Sequence, residues 1–176
     1  MASILNVDEI KNAAGTGTPI IDGHVLQVVK AEHSSTTQLT SSGAAHELTT
    51  SIRLAITPIS ASSTLYFNFF APFTFPNSAN LSYAYFYDVT NSAAINLPTA
   101  SGSRRATTWQ KRTRPFDPND MDTLNMSDAV ASGSTTARTY TIYHSTEGAV
   151  AQFLQSTLSS SAGTNSKMLF TITEVA

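Results

Sequence analysis

The chain contains no cysteine, which excludes a disulfide framework, a thiolate metal site and a cysteine nucleophile. It also has little charge, because Asp, Glu, Lys and Arg make up only 12% of the residues, about half the usual share. The net charge of −2 provides no basic field for nucleic acid. No stretch approaches the ~20 apolar residues of a membrane span, and the N-terminus lacks the pattern of a signal peptide. We therefore expect no nucleic-acid partner and no membrane insertion.

Serine and threonine take the place of the missing charge, in runs such as Ser34–Thr37 and Ser159–Ser161. Threonine is β-branched and serine favours turns, and neither is a strong helix former. A length of 176 residues fits one domain with a sizeable core. The composition therefore favours a single domain built from β-strands.

The apolar residues recur with period two far more often than with the helical period of 3.6. Predicted strands lie at residues 24–30, 48–57, 65–70, 81–89, 93–97, 121–126, 138–144, 149–158 and 167–175, with one short helix as the alternative at 149–158. Pro58, Pro72 and Pro76 are expected to end strands, and residues 98–119 are expected to form a long loop. Seven to nine short strands predict an all-β fold, an antiparallel β-sandwich of jelly-roll type.

Residues 1–23 differ from the rest, because they form a polar segment punctuated by Gly and Thr. Their apolar residues are too sparse to offset the entropy of ordering the segment by itself. These residues are Ile4, Leu5, Val7, Ile10, Ile20 and Ile21. We expect an extended attachment arm over 1–23 and a β-sandwich domain over 24–176.

Several motifs occur in a fixed order along the chain. Leu5-Asn-Val-Asp-Glu-Ile-Lys-Asn-Ala-Ala-Gly-Thr-Gly17 is followed by Gly23-His-Val-Leu-Gln-Val-Val29, and later blocks end with Leu169-Phe-Thr-Ile-Thr-Glu-Val-Ala176. This order resembles small virion structural proteins of tailed bacteriophages of the marine or cyanophage type, with an "LNVDxIxxAAGTG" arm leading into "GHVIQVV". The segment Phe86–Ile95 departs from the family, because it lacks the family's Arg-Gly hairpin.

The resemblance implies a trimeric fibre or appendage protein, made in the cytoplasm of the bacterial host and built into the virion. Its partners would be copies of itself, a capsid, neck or tail protein held by the arm, and a host-surface glycan. A capsid decoration (cement) or neck protein is the alternative, and a carbohydrate-binding module is a weaker one. From the residues themselves we expect no enzyme activity and no cofactor.

One loop concentrates half of the basic residues around the single tryptophan: Arg104, Arg105, Trp109, Lys111, Arg112 and Arg114. A recognition loop could stack Trp109 on a sugar ring and bind acidic groups with the arginines. The alternative is a subunit contact or an intrachain cluster, neutralised by the acidic run Asp117–Asp122.

Aromatic residues exceed what one core can bury. The strand at 65–70 is aromatic on both faces, whereas a sheet in a sandwich has only one inner face. We therefore expect a subunit interface, with Tyr66, Phe70, Tyr83, Tyr85 and Tyr87 as its candidates.

No residue pattern indicates catalysis or metal binding. His24, His33, His46 and His144 lack metal-ligand spacing. Asp117, Asp120 and Asp122 lack the glycine and distal glutamate of a calcium loop. A Ser–His–acid set could be assembled around His144 and Glu147, but the many serines make such a match uninformative. We expect no catalytic and no metal site.

Overall fold

A computed structural model describes residues 22–35, 37–40, 44–74, 81–100, 105–112, 122–146, 150–153 and 166–176. Within these residues the chain forms twelve β-strands and one 3₁₀ turn. The strands are β1 (Val25–His33), β2 (Thr37–Thr40), β3 (His46–Glu47), β4 (Leu54–Ile56), β5 (Thr64–Thr74), β6 (Leu81–Asp88), β7 (Ala93–Ala94), β8 (Trp109–Arg112), β9 (Asp122–Ala131), β10 (Arg138–Thr146), β11 (Val150–Phe153) and β12 (Met168–Val175). Strands β1, β2, β5, β9, β11 and β12 form sheet A, and the other six form sheet B.

The strands pair as if one long hairpin had been rolled up. β1 pairs with β12, β4 with β10, β5 with β9, and β6 with β8, always antiparallel. Rolling places β1-β12-β5-β9 side by side in sheet A and β4-β10-β6-β8 side by side in sheet B. This nested pairing of first with last strands is the jelly roll. The predicted all-β antiparallel sandwich of jelly-roll type is therefore confirmed.

The core lies between the two sheets and follows the alternation of β5. Phe67, Phe69 and Phe73 are buried on the inner face, whereas Tyr66 and Phe70 point outward. The Phe67 ring contacts aromatic rings of both sheets, with centroid distances of 5.4 Å to Phe86, 4.9 Å to Tyr140 and 6.4 Å to Phe170. These ring contacts join the two sheets at the middle of the sandwich.

The segment before β5 also follows the predicted alternation. Ile52, Leu54 and Ile56 are buried, whereas Arg53 and its alternate neighbours at 55 and 57 are exposed. Only 54–56 is a strand, because residues 50–52 form a 3₁₀ turn in which the Thr49 hydroxyl accepts a hydrogen bond from Ser51 N–H.

Three expectations about strand boundaries were wrong. Pro72 does not end β5, which continues to Thr74. On one side of β5, β12 ends opposite Phe70 and β11 begins opposite Phe73, so a residue without an N–H is tolerated at this gap. The predicted loop 98–119 contains β8, and the predicted strand 93–97 is only two residues long. The short strands β2 and β3 were not predicted.

Several expectations fall outside the described residues. They concern the arm residues Ile4, Leu5, Val7, Ile10, Ile20 and Ile21, the arginines Arg104 and Arg114, the strand end at Pro76, the acids Asp117, Asp120 and Glu147, and most of 149–158. In the part of the chain that is described, no helix has the length and apolar character needed to cross a bilayer.

Candidate functional site

The outer face of sheet B carries three tyrosines in contact. Tyr85 and Tyr143 lie directly opposite each other on β6 and β10, and Tyr87 lies two residues further along β6. Ring centroids are 4.1 Å apart for Tyr87–Tyr143 and 5.8 Å apart for Tyr85–Tyr143, with interplanar angles of 29° and 27°. We call Tyr85, Tyr87 and Tyr143 the tyrosine cluster. Its three side chains are half-buried, so part of each ring reaches the protein surface.

An ion pair borders the tyrosine cluster. Glu47 on β3 is the register partner of Tyr143, and Arg53 donates to both carboxylate oxygens of Glu47, at 2.7 Å each. The hydrogen bond from Arg53 holds the pKa of Glu47 below its ordinary value. Burial, followed by the nearby Tyr87 and Glu47, raises the pKa of Tyr143. The face therefore presents phenol groups beside a planar guanidinium whose side chain is 43% exposed.

These groups can make several kinds of contact with a partner. Phenol hydroxyls donate and accept hydrogen bonds, aromatic rings bury large areas, and a guanidinium binds carboxylates. Tyr and Arg are also the residue types enriched in the cores of protein interfaces. The arrangement can therefore offer a partner both aromatic contact and hydrogen bonds.

The five predicted interface residues do not lie on one surface. Tyr66 and Phe70 are 45% and 41% exposed on the outer face of sheet A. Tyr85 and Tyr87 lie on the outer face of sheet B, on the opposite side of the sandwich. Tyr83 is on the same face as Tyr85 but is only 5% exposed, with the Arg105 guanidinium 5.0 Å from its ring centroid. Tyr83 thus contributes little surface.

The described part of the basic loop makes contacts within the chain. Besides Arg105 on Tyr83, Lys111 forms an ion pair with Asp122. Trp109 pairs with the buried Ala84, is half-buried itself, and meets Phe73 edge-on with a centroid distance of 5.6 Å. A sugar-stacking role would require an exposed ring face, whereas this indole packs against the core. Of Arg112 only the backbone, at the end of β8, is described.

Sequence reasoning missed Tyr143, Glu47 and Arg53. Alternation already indicated that Arg53 points away from the core, and that Tyr143 points opposite to Ile142. What the sequence lacked was the pairing of β10 with both β3 and β6. That pairing brings Tyr143 and Glu47 together with Tyr85, and Arg53 joins them through its two hydrogen bonds to Glu47.

A buried serine and histidine also lie together in sheet B. Ser82 Oγ and His144 Nε2 are 2.5 Å apart, and the two residues are 0% and 1% exposed. Burial lowers the pKa of His144 to about 3, so the ring is neutral at physiological pH. A catalytic nucleophile must reach its substrate, and solvent has no access to this pair. Its consequence is for stability rather than for chemistry.

A buried carboxylate ties sheet A to the loop that precedes β5. Glu174 is 0% exposed and accepts hydrogen bonds from Gln27 Nε2 and Ser63 Oγ at 2.6 Å, and from the Ile59 and Ser60 N–H groups at 2.9–3.0 Å. Burial alone would raise the pKa of Glu174, but the hydrogen bonds from Ser63, Gln27 and the two backbone groups lower it overall. The site is satisfied entirely by neutral donors within the chain.

The other histidines and acids form no metal site among the described residues, where no three His, Asp or Glu side chains gather. His24 and His46 are exposed and His33 is half-buried on β1. Asp122 is engaged by Lys111.

Comparison with known proteins gave matches to solved structures only: no family model and no curated protein matches the chain. The matched structures include those of the infectious bursal disease virus Gt strain (10% identity, TM-score 0.39), Gx strain (12%, 0.40) and T13 viral particle (9%, 0.42). All of this chain is covered, but it spans only 40–42% of the length of those chains. A similarity of this size carries no conclusion about function.

Proposed function

We propose that the chain is a virion structural protein of a tailed bacteriophage that acts by binding. The β-sandwich domain assembles with copies of itself as a trimeric fibre or appendage, and the arm at 1–23 attaches it to the capsid, neck or tail. The order of sequence motifs supports the phage origin. The fold supports it by analogy only, since jelly rolls occur in viral capsid proteins and also in lectins and cupins.

The observation that carries the proposal is the tyrosine cluster beside the Arg53–Glu47 ion pair. Three stacked rings and an exposed guanidinium stand on an outer sheet face that no strand of the described chain covers. Such a group matches the composition of interface hot spots. We assign it to the contact between copies.

The geometry of the sandwich limits which residues serve a trimer. A closed three-fold ring needs two contact surfaces that are inclined to each other, whereas contacts on opposite faces of a slab generate an open stack. Tyr66 and Phe70 face away from Tyr85 and Tyr87. The proposed trimer therefore places the tyrosine cluster at the three-fold axis and leaves the outer face of sheet A outside the contact.

Sedimentation velocity of the full chain tests this assignment. The expected mass is about 56 kDa, three times the 18.8 kDa of one chain. Tyr143→Ser should shift the protein towards monomers, whereas the matched variant Tyr66→Ser on the other face should leave it trimeric. A monomeric wild type, or dissociation by Tyr66→Ser alone, would contradict the proposal.

Quantitative mass spectrometry of purified particles tests the place of the protein in the virion. A copy number of a few multiples of three supports an appendage, whereas hundreds of copies would identify a capsid decoration. The role in host-glycan recognition has weaker support, because Arg105, Trp109 and Lys111 are engaged within the chain. Unchanged adsorption of particles carrying Trp109→Phe, with intact assembly, would remove this loop from recognition.

A further inference from the structure

Most of the exposed large apolar side chains lie on one face. Five such residues occur among the described residues, and all except Ile59 lie on the outer face of sheet A: Val25, Val28, Tyr66 and Phe70, with exposures of 41–57%. Exposed apolar clusters on soluble domains commonly mark interaction surfaces. This face is therefore a candidate interaction surface.

Strand register shows how the four residues come to share a face. One row across the sheet is Val28, Thr173 and Tyr66, and another is Glu32, Leu169 and Phe70. A β-bulge between Val25 and Gln27 shifts the alternation, so that Val25 and Val28 both point outward. The single row between them begins with Lys30 on the edge strand β1 and continues with the uncharged Thr171, Asn68 and Ser127.

The size of the face favours an extended segment over a second copy held by this face alone. From Thr64 to Phe70 the face is about 20 Å long, and four strands are about 19 Å wide. The resulting ~400 Å² is about half of the ~800 Å² that each partner buries in a standard interface. An extended segment fits such a face better than a second folded domain.

Such a segment begins at the corner of the face. The Gly23 N–H donates to the Ala176 carbonyl, and the Ala176 N–H donates to the His24 carbonyl, each at 2.9 Å. These bonds hold the start of the described chain beside the Val25–Val175 pair, the first row of the face. The 21 residues that precede Asp22 span up to ~70 Å when extended, several times the length of the face.

The composition of those 21 residues also matches the face. Ile20 and Ile21 directly precede the corner, and Ile4, Leu5, Val7 and Ile10 follow at greater reach. Asp8, Glu9 and Lys11 give residues 1–21 a net charge of −1. Where the row of Phe70 reaches the edge of the sheet, Lys30 and Lys167 both contact the single Glu32, so this side of the face carries one uncompensated positive charge. The apolar residues and this local charge point to the same occupant.

We propose that residues 1–21 of the same chain cover the outer face of sheet A in the free protein. Attachment of the arm to a virion would then require its release from this face. The inference does not depend on the trimer or on the phage origin, since it uses only the exposed face, the position of Asp22 and the sequence before it.

Disulfide trapping in the full chain tests the proposal. Because the native chain has no cysteine, only the introduced cysteines can form a disulfide. Ala13→Cys is combined with Thr171→Cys on the face, and disulfide formation under mild oxidation is followed by non-reducing electrophoresis and peptide mass spectrometry. A disulfide reports Cα atoms within about 7 Å. We expect a rapid intrachain disulfide. Only interchain disulfides would mean that a second copy supplies the arm, and no disulfide would mean that the arm does not bind there. Either result overturns the proposal.

A matched pair of variants separates docking from random collision. In the same double-cysteine background, Val28→Asp should slow the intrachain reaction about tenfold by lowering the effective concentration of the arm at the face. Ile59→Asp, at an exposed apolar position outside the strands, should leave the rate unchanged. Equal rates in both variants would overturn the proposal. Sedimentation of the same proteins reports the oligomeric state separately, so failure of the trimer would be recognised independently.

Discussion

His144 should make the protein labile to mild acid. Its folded-state pKa is lowered from the ordinary 6.5 to about 3 because the ring is buried. Below pH 6.5 the unfolded chain therefore binds a proton at this position that the folded chain does not, and stability falls with pH until about pH 3. At about 1.36 kcal/mol per pH unit, the loss is ~2 kcal/mol at pH 5. Set against a total of about 5–15 kcal/mol for a typical domain, this is a large effect.

The pH window from 7 to 5 isolates this histidine from the carboxylates. Glu32, Glu47 and Glu174 have pKa values below the ordinary 4.5. The stability that these carboxylates contribute is therefore lost only below the window from pH 7 to pH 5. On β6, the residues beside His144 are Ala84 and Ser82, and neither carries a charge. On β3, the residue paired with His144 is the exposed His46.

Urea unfolding at pH 7, 6 and 5, followed by Trp109 fluorescence, measures the slope. The wild type should lose ~2 kcal/mol over this window, and His144→Gln should lose little. His24→Gln, at an exposed position, should keep the wild-type slope. An unchanged slope in His144→Gln would refute the reasoning. If that variant does not fold, an NMR titration of the wild-type His144 ring decides, because the resonance should not move between pH 7 and 5.

Three further substitutions should change the free energy of unfolding at pH 7. Glu174→Gln should lower the free energy of unfolding by about 2–4 kcal/mol, because the N–H₂ group of the new carboxamide would face donors that bind the carboxylate in the wild type. Glu32→Gln, at an exposed ion pair, is the control and should change this free energy little. Phe67→Ala should cost ~3–5 kcal/mol, whereas Tyr66→Ala, one residue away on the exposed face, should cost much less; similar losses would contradict the assigned faces. Gly133→Ala should cost about 1 kcal/mol from strain alone, since φ is +62° and no atom beyond its chain neighbours lies within 4 Å of the added Cβ. Gly133→Asn should cost less, and thermal melting ranks the two.

The period-two pattern predicted the side of the sheet on which a residue lies better than it predicted where strands end. Ile52, Leu54 and Ile56 are buried as expected although only 54–56 is a strand. Burial depends on the direction of each side chain, whereas a strand end depends on which neighbour is present. Pro72 illustrates this, because its place inside β5 depends on a gap between two partner strands.

The candidate site was less predictable, because its residues come from strands that are distant in the sequence. Tyr143 lies 58 positions after Tyr85 and 96 positions after Glu47, yet β10 pairs with the strands of both. Trp109 fell within the predicted loop 98–119, where the apolar alternation breaks down, but it lies on β8, and pairing with Ala84 turns its ring towards Phe73.

The rolled hairpin explains why one aromatic stretch supplies two separate surfaces. β5 and β6 follow each other in the chain but enter different sheets, so the outward residues of 65–70 and of 83–87 lie on opposite sides of the sandwich. Their inward neighbours, Phe67 and Phe86, meet in the core at a centroid distance of 5.4 Å. A partner bound at Tyr143 and an arm bound at Tyr66 would therefore not compete for surface. Substitutions on one face should leave binding at the other intact, which makes the two contacts separable by mutation.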